Sequence, residues 1–326
     1  MSGSAPDAAT AGDAEAPRPS GRGRGGGFGR VSRAGGPGAG PGPGPGAGPG
    51  PGPGPAGGTR RRIRPGGGGG VPLGLLLPAL IGLAFLVLPL AGLLVRTPWS
   101  TLLTRLGAPG ILDALKLSLL TASLATALCV VFGVPLAWLL ARVDFPGRAV
   151  VRALVTVPLV LPPVVGGVAL LLAFGRRGLL GPWLESTFGI TLPFTTAGVV
   201  VAEAFVAMPF LVIAVEGALR GADVRYEEAA ATLGAGRWTV FRRVTLPLIA
   251  PGVVAGAVLC WARALGEFGA TITFAGNFPG RTQTMPLAVY LALEQDLPSA
   301  IVLSLILLVV SVVILTSLRD RWIAAP

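Results

Sequence analysis

The chain has 326 residues, of which 52% are hydrophobic and 13% charged, with a formal net charge of +11 and no histidine. Soluble domains carry about a quarter charged residues, so this composition is typical of a membrane protein. The lack of histidine excludes a Ser-His-Asp triad and histidine-ligated zinc. The single lysine, Lys116, follows no glycine-rich loop, which excludes a Walker A nucleotide site.

Residues 1–70 contain no apolar run, and residues 36–58 nearly alternate glycine and proline. Such a segment buries too little surface to offset its ordering entropy, so we predict a disordered cytoplasmic tail. Its Arg22-Gly-Arg24 stretch resembles Arg/Gly segments that bind single-stranded nucleic acid. We favour a solvated tail beside the lipid bilayer over an RNA-associated one, and we expect no nucleic-acid partner.

From residue 71 onward, apolar stretches of membrane length alternate with short charged connections. About 20 apolar residues suffice to cross a bilayer, and the connections are too short for a barrel. The sequence therefore predicts an all-α membrane protein with six transmembrane helices. The predicted spans are 71–95, 117–141, 153–175, 195–219, 248–275 and 297–318.

Most arginines of the connections lie on the side of the N-terminus, which places both termini in the cytoplasm by the positive-inside rule. Residues 319–326 are then a short cytoplasmic C-terminus. The third span contains Pro158, Pro162 and Pro163, so we expect it to bend or break within the membrane.

The connection over residues 220–247 predicts a short helix outside the membrane. Asp223 is its candidate N-cap, and Gly234 is its candidate stop. The middle of the helix is Ala229-Ala230-Ala231, which favours helix and has little bulk. We interpret it as a helix that docks into a groove of a partner protein.

The spacing of Glu228, Ala229, Ala230, Gly234 and the pair Leu246-Pro247 resembles the EAA loop of permease subunits in bacterial ABC importers of the type I fold. The resemblance implies that these residues couple the permease to a cytoplasmic ATPase subunit, with Glu228 as the polar contact. It also implies a homodimer with two ATPase subunits. ATP is then bound and hydrolysed by the partner, and the chain itself is non-catalytic and needs no cofactor or metal.

Arg263 and Glu267 are four residues apart within the fifth span, where unpaired charges are costly. We expect the two side chains to neutralise each other. One interpretation places them on a translocation path with Gly266, Gly269 and Thr271, where the arginine meets an oxyanion. The other interpretation is a structural ion pair that fixes helix packing.

Residues 262–271, which read Ala-Arg-Ala-Leu-Gly-Glu-Phe-Gly-Ala-Thr, resemble the permease subunits of molybdate ABC transporters. The Phe-Ala-Gly-Asn of residues 274–277 and the Pro-rich turn of residues 279–287 belong to the same resemblance, which spans about residues 111–318. It implies molybdate as substrate and an extracytoplasmic molybdate-binding protein as partner.

Three alternatives to molybdate import stay open. Tungstate has nearly the same shape and charge as molybdate, and sulfate permeases carry a similar segment with Tyr-Gly-Ser in place of residues 268–270. A different class is an ion-coupled secondary anion transporter, for which Glu203 and Glu267 are the candidate carboxylates.

Cys129 and Cys260 lie in spans, and we interpret them as small apolar residues of the core.

Overall fold

A computed structural model describes residues 73–323, and within this range the chain is helical with no β-strand. This confirms the predicted all-α fold class. The predicted disordered tail at residues 1–70, and residues 324–326 of the predicted C-terminus, lie outside the described residues.

The described residues form thirteen α-helices, numbered here in chain order. Their bounds are α1 Leu73–Arg96, α2 Leu102–Leu106, α3 Ile111–Arg142, α4 Arg148–Val160, α5 Pro163–Phe174, α6 Gly181–Phe188, α7 Thr196–Gly221, α8 Arg225–Thr232, α9 Arg237–Val240, α10 Leu246–Leu265, α11 Gly269–Phe274, α12 Met285–Gln295 and α13 Leu297–Ile323. A 3₁₀ turn, Trp99–Thr101, precedes α2, and a π-helical turn, Phe241–Thr245, joins α9 to α10.

Five helical segments within the described range are long and apolar enough to cross a membrane. They are Leu75–Arg96, Ile111–Arg142, Thr196–Gly221, Arg237–Leu265 and Leu297–Ile314. Each corresponds to one of the six predicted spans, and the protein is therefore multi-pass by helix length and composition.

The remaining predicted span, residues 153–175, is divided between α4 and α5. Leu161 and Pro162 between them have extended backbones, with ψ of 131° at both residues. Proline lacks an N–H and disfavours α geometry in the residue before it, so the Pro162-Pro163 pair ends one helix and begins the next. The prediction that this span bends or breaks is confirmed.

The fifth predicted span, residues 248–275, is wrong as a single continuous helix. The helix α10 ends at Leu265, and the shorter α11 begins at Gly269. No proline marks this break, and the two glycines at 266 and 269 were insufficient to predict it from the sequence. The consequence is that Glu267 lies in the junction between two helices, not on a helix face.

The main core is formed by α3, α7 and α10, which pack against one another. Small side chains bring these helices together: a Cβ added at Gly256 would lie 3.0 Å from the Cβ of Ala214. Close approach through small residues is the usual way that helices associate in membranes. A second cluster joins α5, α7 and α11 around the buried Phe274, and a third joins α3, α12 and α13. This packing buries Glu267 in the α10–α11 junction and leaves α8 at the ends of α3 and α7.

Candidate functional site

The predicted docking helix is present as α8, and its C-terminal end is a Schellman turn. The Gly234 N–H donates to the Ala231 carbonyl at 2.9 Å, and the Ala235 N–H donates to the Ala230 carbonyl at 3.1 Å. Gly234 has a φ of +85°, a conformation that costs other residues energy. The prediction that Gly234 stops the helix is therefore confirmed.

The start of α8 differs by one residue from the expectation. Val224 occupies the N-cap position, and it is the Asp223 carboxylate that accepts a hydrogen bond from the Arg225 N–H at 3.0 Å. Asp223 thus satisfies one of the free N–H groups at this end from outside the helix. The backbone turn before α8, which the sequence does not specify, sets this offset.

The outer surface of α8 has no cover within the described residues. Glu228 and Ala229 are exposed and Ala230 is half-buried, while the apolar Leu233 beside them is 89% exposed. Glu228 makes no ion pair or hydrogen bond from its side chain in the described part of the chain. An exposed, largely small and apolar helix face with one free carboxylate is suited to docking against another protein.

Ion pairs connect the helix ends around α8, and one of them includes a residue of α8. Arg142, the last residue of α3, donates to the Glu227 carboxylate at 3.0 Å. The carboxylate of Glu216 on α7 accepts from Arg152 of α4 at 2.6 Å and from Arg220 at 2.7 Å. The sequence analysis did not predict these ion pairs. The arginines at the ends of the spans were the only feature of the sequence that pointed to them. The Arg142–Glu227 pair joins α8 to the end of α3, and the Arg152–Glu216 pair joins α4 to α7.

The other two predicted coupling residues, Leu246 and Pro247, lie in the first turn of α10, not in α8. Leu246 is half-buried and Pro247 is exposed. The π-helical turn Phe241–Thr245 continues directly into α10, so this pair lies inside the helical segment Arg237–Leu265. Pro247 has no N–H to donate to a carbonyl of the preceding turn.

Arg263 and Glu267 form the expected ion pair, with 2.6 Å between the Arg263 Nη2 and the Glu267 Oε2. The Glu267 side chain is 1% exposed and that of Arg263 is 27% exposed. The second carboxylate oxygen, Oε1, accepts the Ala270 N–H at 2.8 Å. Glu267 thus holds the end of α10 and the beginning of α11 together.

A second buried carboxylate belongs to Glu203 of α7, which is 1% exposed. Its Oε1 accepts a hydrogen bond from the Thr121 hydroxyl of α3 at 2.9 Å, and its Oε2 has no partner in the described part of the chain. No sequence pattern predicts the contact between Glu203 and Thr121, which lie 82 residues apart. A polar atom without a partner inside a membrane is costly, so the free oxygen of Glu203 is an unusual feature of the interior.

The remaining predicted path residues have different surroundings. Gly266 is exposed and lines, together with Phe268 and Tyr290, an open cavity of about 580 Å³ between α1, the α10–α11 junction, α12 and α13. Gly269 and Thr271 are buried. A Cβ at Gly269 would lie 2.7 Å from the Pro163 Cβ of α5, so this glycine serves close packing.

Both cysteines, Cys129 and Cys260, are fully buried and free, as members of the main core. No group of three or more Cys, Asp or Glu side chains in the described range is arranged to hold a metal ion. Among the described residues, the buried polar side chains are the carboxylates of Glu203, Glu216 and Glu267, the amide of Gln283 and the hydroxyl groups of serine and threonine residues.

The sequence is similar to those of several transport permease proteins. The molybdenum transport system permease protein ModB of Mycobacterium tuberculosis is 50% identical over 253 residues, which cover 77% of this chain and 95% of that protein. ModB of Escherichia coli K12 is 46% identical over 65% of this chain and 93% of its own length. The sulfate transport system permease protein CysT of Escherichia coli K12 is more distant, at 39% identity over 72% of this chain and 86% of its own length.

Solved structures share the fold. A bacterial ABC transporter involved in the import of alginate matches with a TM-score of 0.63 and 20% identity, over 76% of this chain and 93% of the matched chain. The model of the family described as "Binding-protein-dependent transport system inner membrane component" matches residues 133–325. The resemblance to molybdate permeases of the type I importer fold is confirmed, and this chain belongs to the inner membrane components of binding-protein-dependent transport systems.

Proposed function

We propose that this chain is the permease subunit of an ATP-driven molybdate importer, in which it forms the translocation path. The observation that carries the proposal is the 50% identity to a molybdenum permease over 95% of that protein's length. The lower identity to a sulfate permease favours molybdate over sulfate. Tungstate shares the shape and charge of molybdate and is expected to compete with it.

The proposed assembly contains two copies of this chain, two cytoplasmic ATPase subunits and an extracytoplasmic molybdate-binding protein. The family description supports dependence on a binding protein. One structural neighbour is an alginate ABC transporter in complex with a substrate-bound periplasmic protein. In this assembly ATP belongs to the ATPase subunits, and the chain described here performs no catalysis.

The proposed coupling element is the exposed face of α8 with Glu228, Ala229, Ala230 and Gly234. Its free carboxylate and uncovered apolar surface support docking of the ATPase there. Movement of α8 would reach the interior through the π-helical turn and the Leu246-Pro247 start of α10, which follow it in the chain. Closure of the ATPase subunits would thereby change the access of the path.

For the path itself, we propose that Gly266 borders the route of the anion, since it lines the open cavity. Arg263 and Glu267 satisfy each other, which favours their role as a structural pair beside that route. Gly269 and Thr271 lie behind them and support the wall. The substrate then meets few fixed charges, which suits rapid release of an anion.

A transport assay tests the proposal. Vesicles bearing the full complex are expected to take up labelled molybdate only with ATP, and Glu228→Arg or Gly234→Asp should abolish uptake. Glu185→Arg, which makes the same charge reversal on the exposed α6, is the control and should leave uptake intact. Unchanged uptake in both α8 variants would refute coupling through α8.

The same vesicles separate the remaining alternatives. Uptake that persists without ATP and collapses with an ionophore would identify an ion-coupled secondary transporter and overturn the proposal. Excess unlabelled sulfate should compete weakly and excess tungstate strongly. Stronger competition by sulfate than by molybdate would reassign the substrate.

We also propose that both termini lie in the cytoplasm of a bacterial cell, on the basis of the arginine distribution. Because Cys129 and Cys260 are buried, the parent chain should give little reaction with an impermeant thiol reagent. Arg242→Cys should react only from the cytoplasmic side and Arg177→Cys only from outside. The reverse pattern would invert the topology.

A further inference from the structure

A narrow apolar cleft lies beside the docking helix but is separate from its exposed face. Its lining residues are Pro135 and Trp138 of α3, Arg237 and Trp238 of α9, and Phe241 of the π-helical turn. The cleft has a volume of about 210 Å³. We refer to it as the Trp238 cleft.

The wall of the Trp238 cleft is aromatic. The Trp238 ring stacks on Phe241 with 5.7 Å between ring centroids, and Phe241 meets Trp138 edge-on at 6.1 Å. Trp238 is nevertheless 71% exposed. A large indole that is packed on one face and open on the other offers an apolar surface to a further group.

The cleft extends from the end of the long apolar helices into their membrane-length part. Trp238 is the second residue of the apolar segment Arg237–Leu265. Pro135 lies seven residues before the end of α3, which corresponds to a depth of about 10 Å at the helical rise per residue. Tryptophan is enriched at this level of a bilayer, where apolar and polar surroundings meet.

The arginines on one side of this end of the bundle are neutralised by acidic side chains. The ion pairs are Arg142 with Glu227, Arg148 with Asp144, and both Arg152 and Arg220 with Glu216. These guanidinium groups are therefore already engaged.

The arginines next to the Trp238 cleft are different. Arg237, Arg242 and Arg243 are exposed, and none has an acidic partner within residues 73–323. Arg237 lines the cleft, and Arg242 and Arg243 directly follow its lining residue Phe241 in the chain, so the segment that forms the cleft carries three arginines without an acidic partner. A ligand that matches both features needs an anionic head and an apolar chain.

We propose that the Trp238 cleft binds an anionic phospholipid. The phosphate lies among the guanidinium groups of Arg237, Arg242 and Arg243, and an acyl chain lies along Trp238, Phe241 and Trp138 toward Pro135. The depth of the cleft favours a lipid over a partner protein, because a protein docked on the outer face of α8 has no need of a groove that descends along α3. The bound lipid would fix the π-helical turn through which α8 connects to α10.

The test is a titration of the delipidated full chain in detergent with phosphatidylglycerol or phosphatidylcholine, followed by native mass spectrometry. Phosphatidylglycerol should bind more tightly, and its binding should weaken as salt is added. Each arginine near an anionic lipid changes binding by about fivefold. Arg242→Gln/Arg243→Gln should therefore weaken phosphatidylglycerol binding by roughly 25-fold, and Arg242→Lys/Arg243→Lys should retain most of it.

The matched control is Arg176→Gln/Arg177→Gln, which removes two exposed arginines from another connection and should leave lipid binding unchanged. Trp238→Ala should weaken both lipids, because it removes the apolar wall. Equal binding of the two lipids, or salt-insensitive binding to the parent chain, overturns the proposal even if a variant fails to fold. Intact lipid binding with loss of ATPase co-purification in Arg242→Gln/Arg243→Gln would assign the surface to a partner protein instead.

Discussion

The α8 region and the α10–α11 junction differ in whether their carboxylates have partners within the chain. In the junction, the Glu267 carboxylate uses both oxygens inside the chain, on Arg263 and on the Ala270 N–H. On α8, Glu227 is engaged by Arg142 while its neighbour Glu228 is exposed and free. A charge that is satisfied internally supports the fold, whereas a free charge on a braced helix is available to a partner.

The largest effect is expected from breaking the junction. Arg263→Met leaves the buried Glu267 carboxylate uncompensated and should destabilise the chain by about 3–5 kcal/mol. Thermal unfolding in detergent micelles measures this loss. The double variant Arg263→Met/Glu267→Met should regain only part of the stability, because no lone charge remains but the Ala270 N–H loses its acceptor. A single variant as stable as the parent would show that the pair does not hold the junction.

The packing behind the junction gives the next largest effect. Gly269→Ala would place a Cβ 2.7 Å from the Pro163 Cβ, and overpacking of this kind costs about 1–3 kcal/mol. Gly217→Ala on α7 is the control, since an added Cβ there meets no atom within 4 Å. The control should unfold at the same or a higher temperature. Equal unfolding temperatures of the two variants would contradict a close contact between α5 and α11.

On α8 the expected effect is smaller and local. Gly234→Ala forces an alanine into a left-handed conformation, at a cost of about 1–2 kcal/mol. Hydrogen exchange of the Ala235 amide, which closes the Schellman turn, should accelerate while the core amides keep their protection. Gly236→Ala, at a φ of −65° with free space around it, should change neither. Uniform acceleration across the bundle would mean that α8 is part of the core.

The smallest effect concerns an exposed ion pair, Arg105 with Asp296. The Ser299 hydroxyl and the Arg105 guanidinium hold the pKa of Asp296 below its usual value of 3.8. A lowered pKa in the folded state means that the pair contributes above pH 3.8 and loses its contribution as the pH falls through the lower, folded-state value. Asp296→Asn should therefore slightly lower the unfolding temperature at neutral pH and match the parent in strong acid. A constant difference at all pH values would exclude this titration.

The sequence predicted the helices better than their breaks. Pro162 and Pro163 predicted the division between α4 and α5, because proline lacks an N–H and restricts the backbone of its own and the preceding residue. The break after Leu265 has no such marker, since it depends on a carboxylate that binds the first turn of α11. Local rules predict local conformation, and the α10–α11 junction is set by hydrogen bonding across the break.

The candidate site divides in the same manner. The Gly234 stop and the Arg263–Glu267 pair were predicted, because each involves residues close in sequence. The contacts Arg142–Glu227, Arg152–Glu216 and Thr121–Glu203 join residues that are far apart in the chain, so only the packed helices bring them together. Sequence spacing therefore predicted the short helix α8 but not the contacts that hold it in position.

The Glu267 carboxylate connects two helices directly. One oxygen binds Arg263 in the last turn of α10, and the other accepts a hydrogen bond from the Ala270 N–H in the first turn of α11. The length of the glutamate side chain determines whether its carboxylate can reach both helices at once. Aspartate carries the same charge but is one methylene shorter, so it can hold one helix or the other but is poorly placed to hold both. At this position the usual exchange of one acidic residue for another is not conservative.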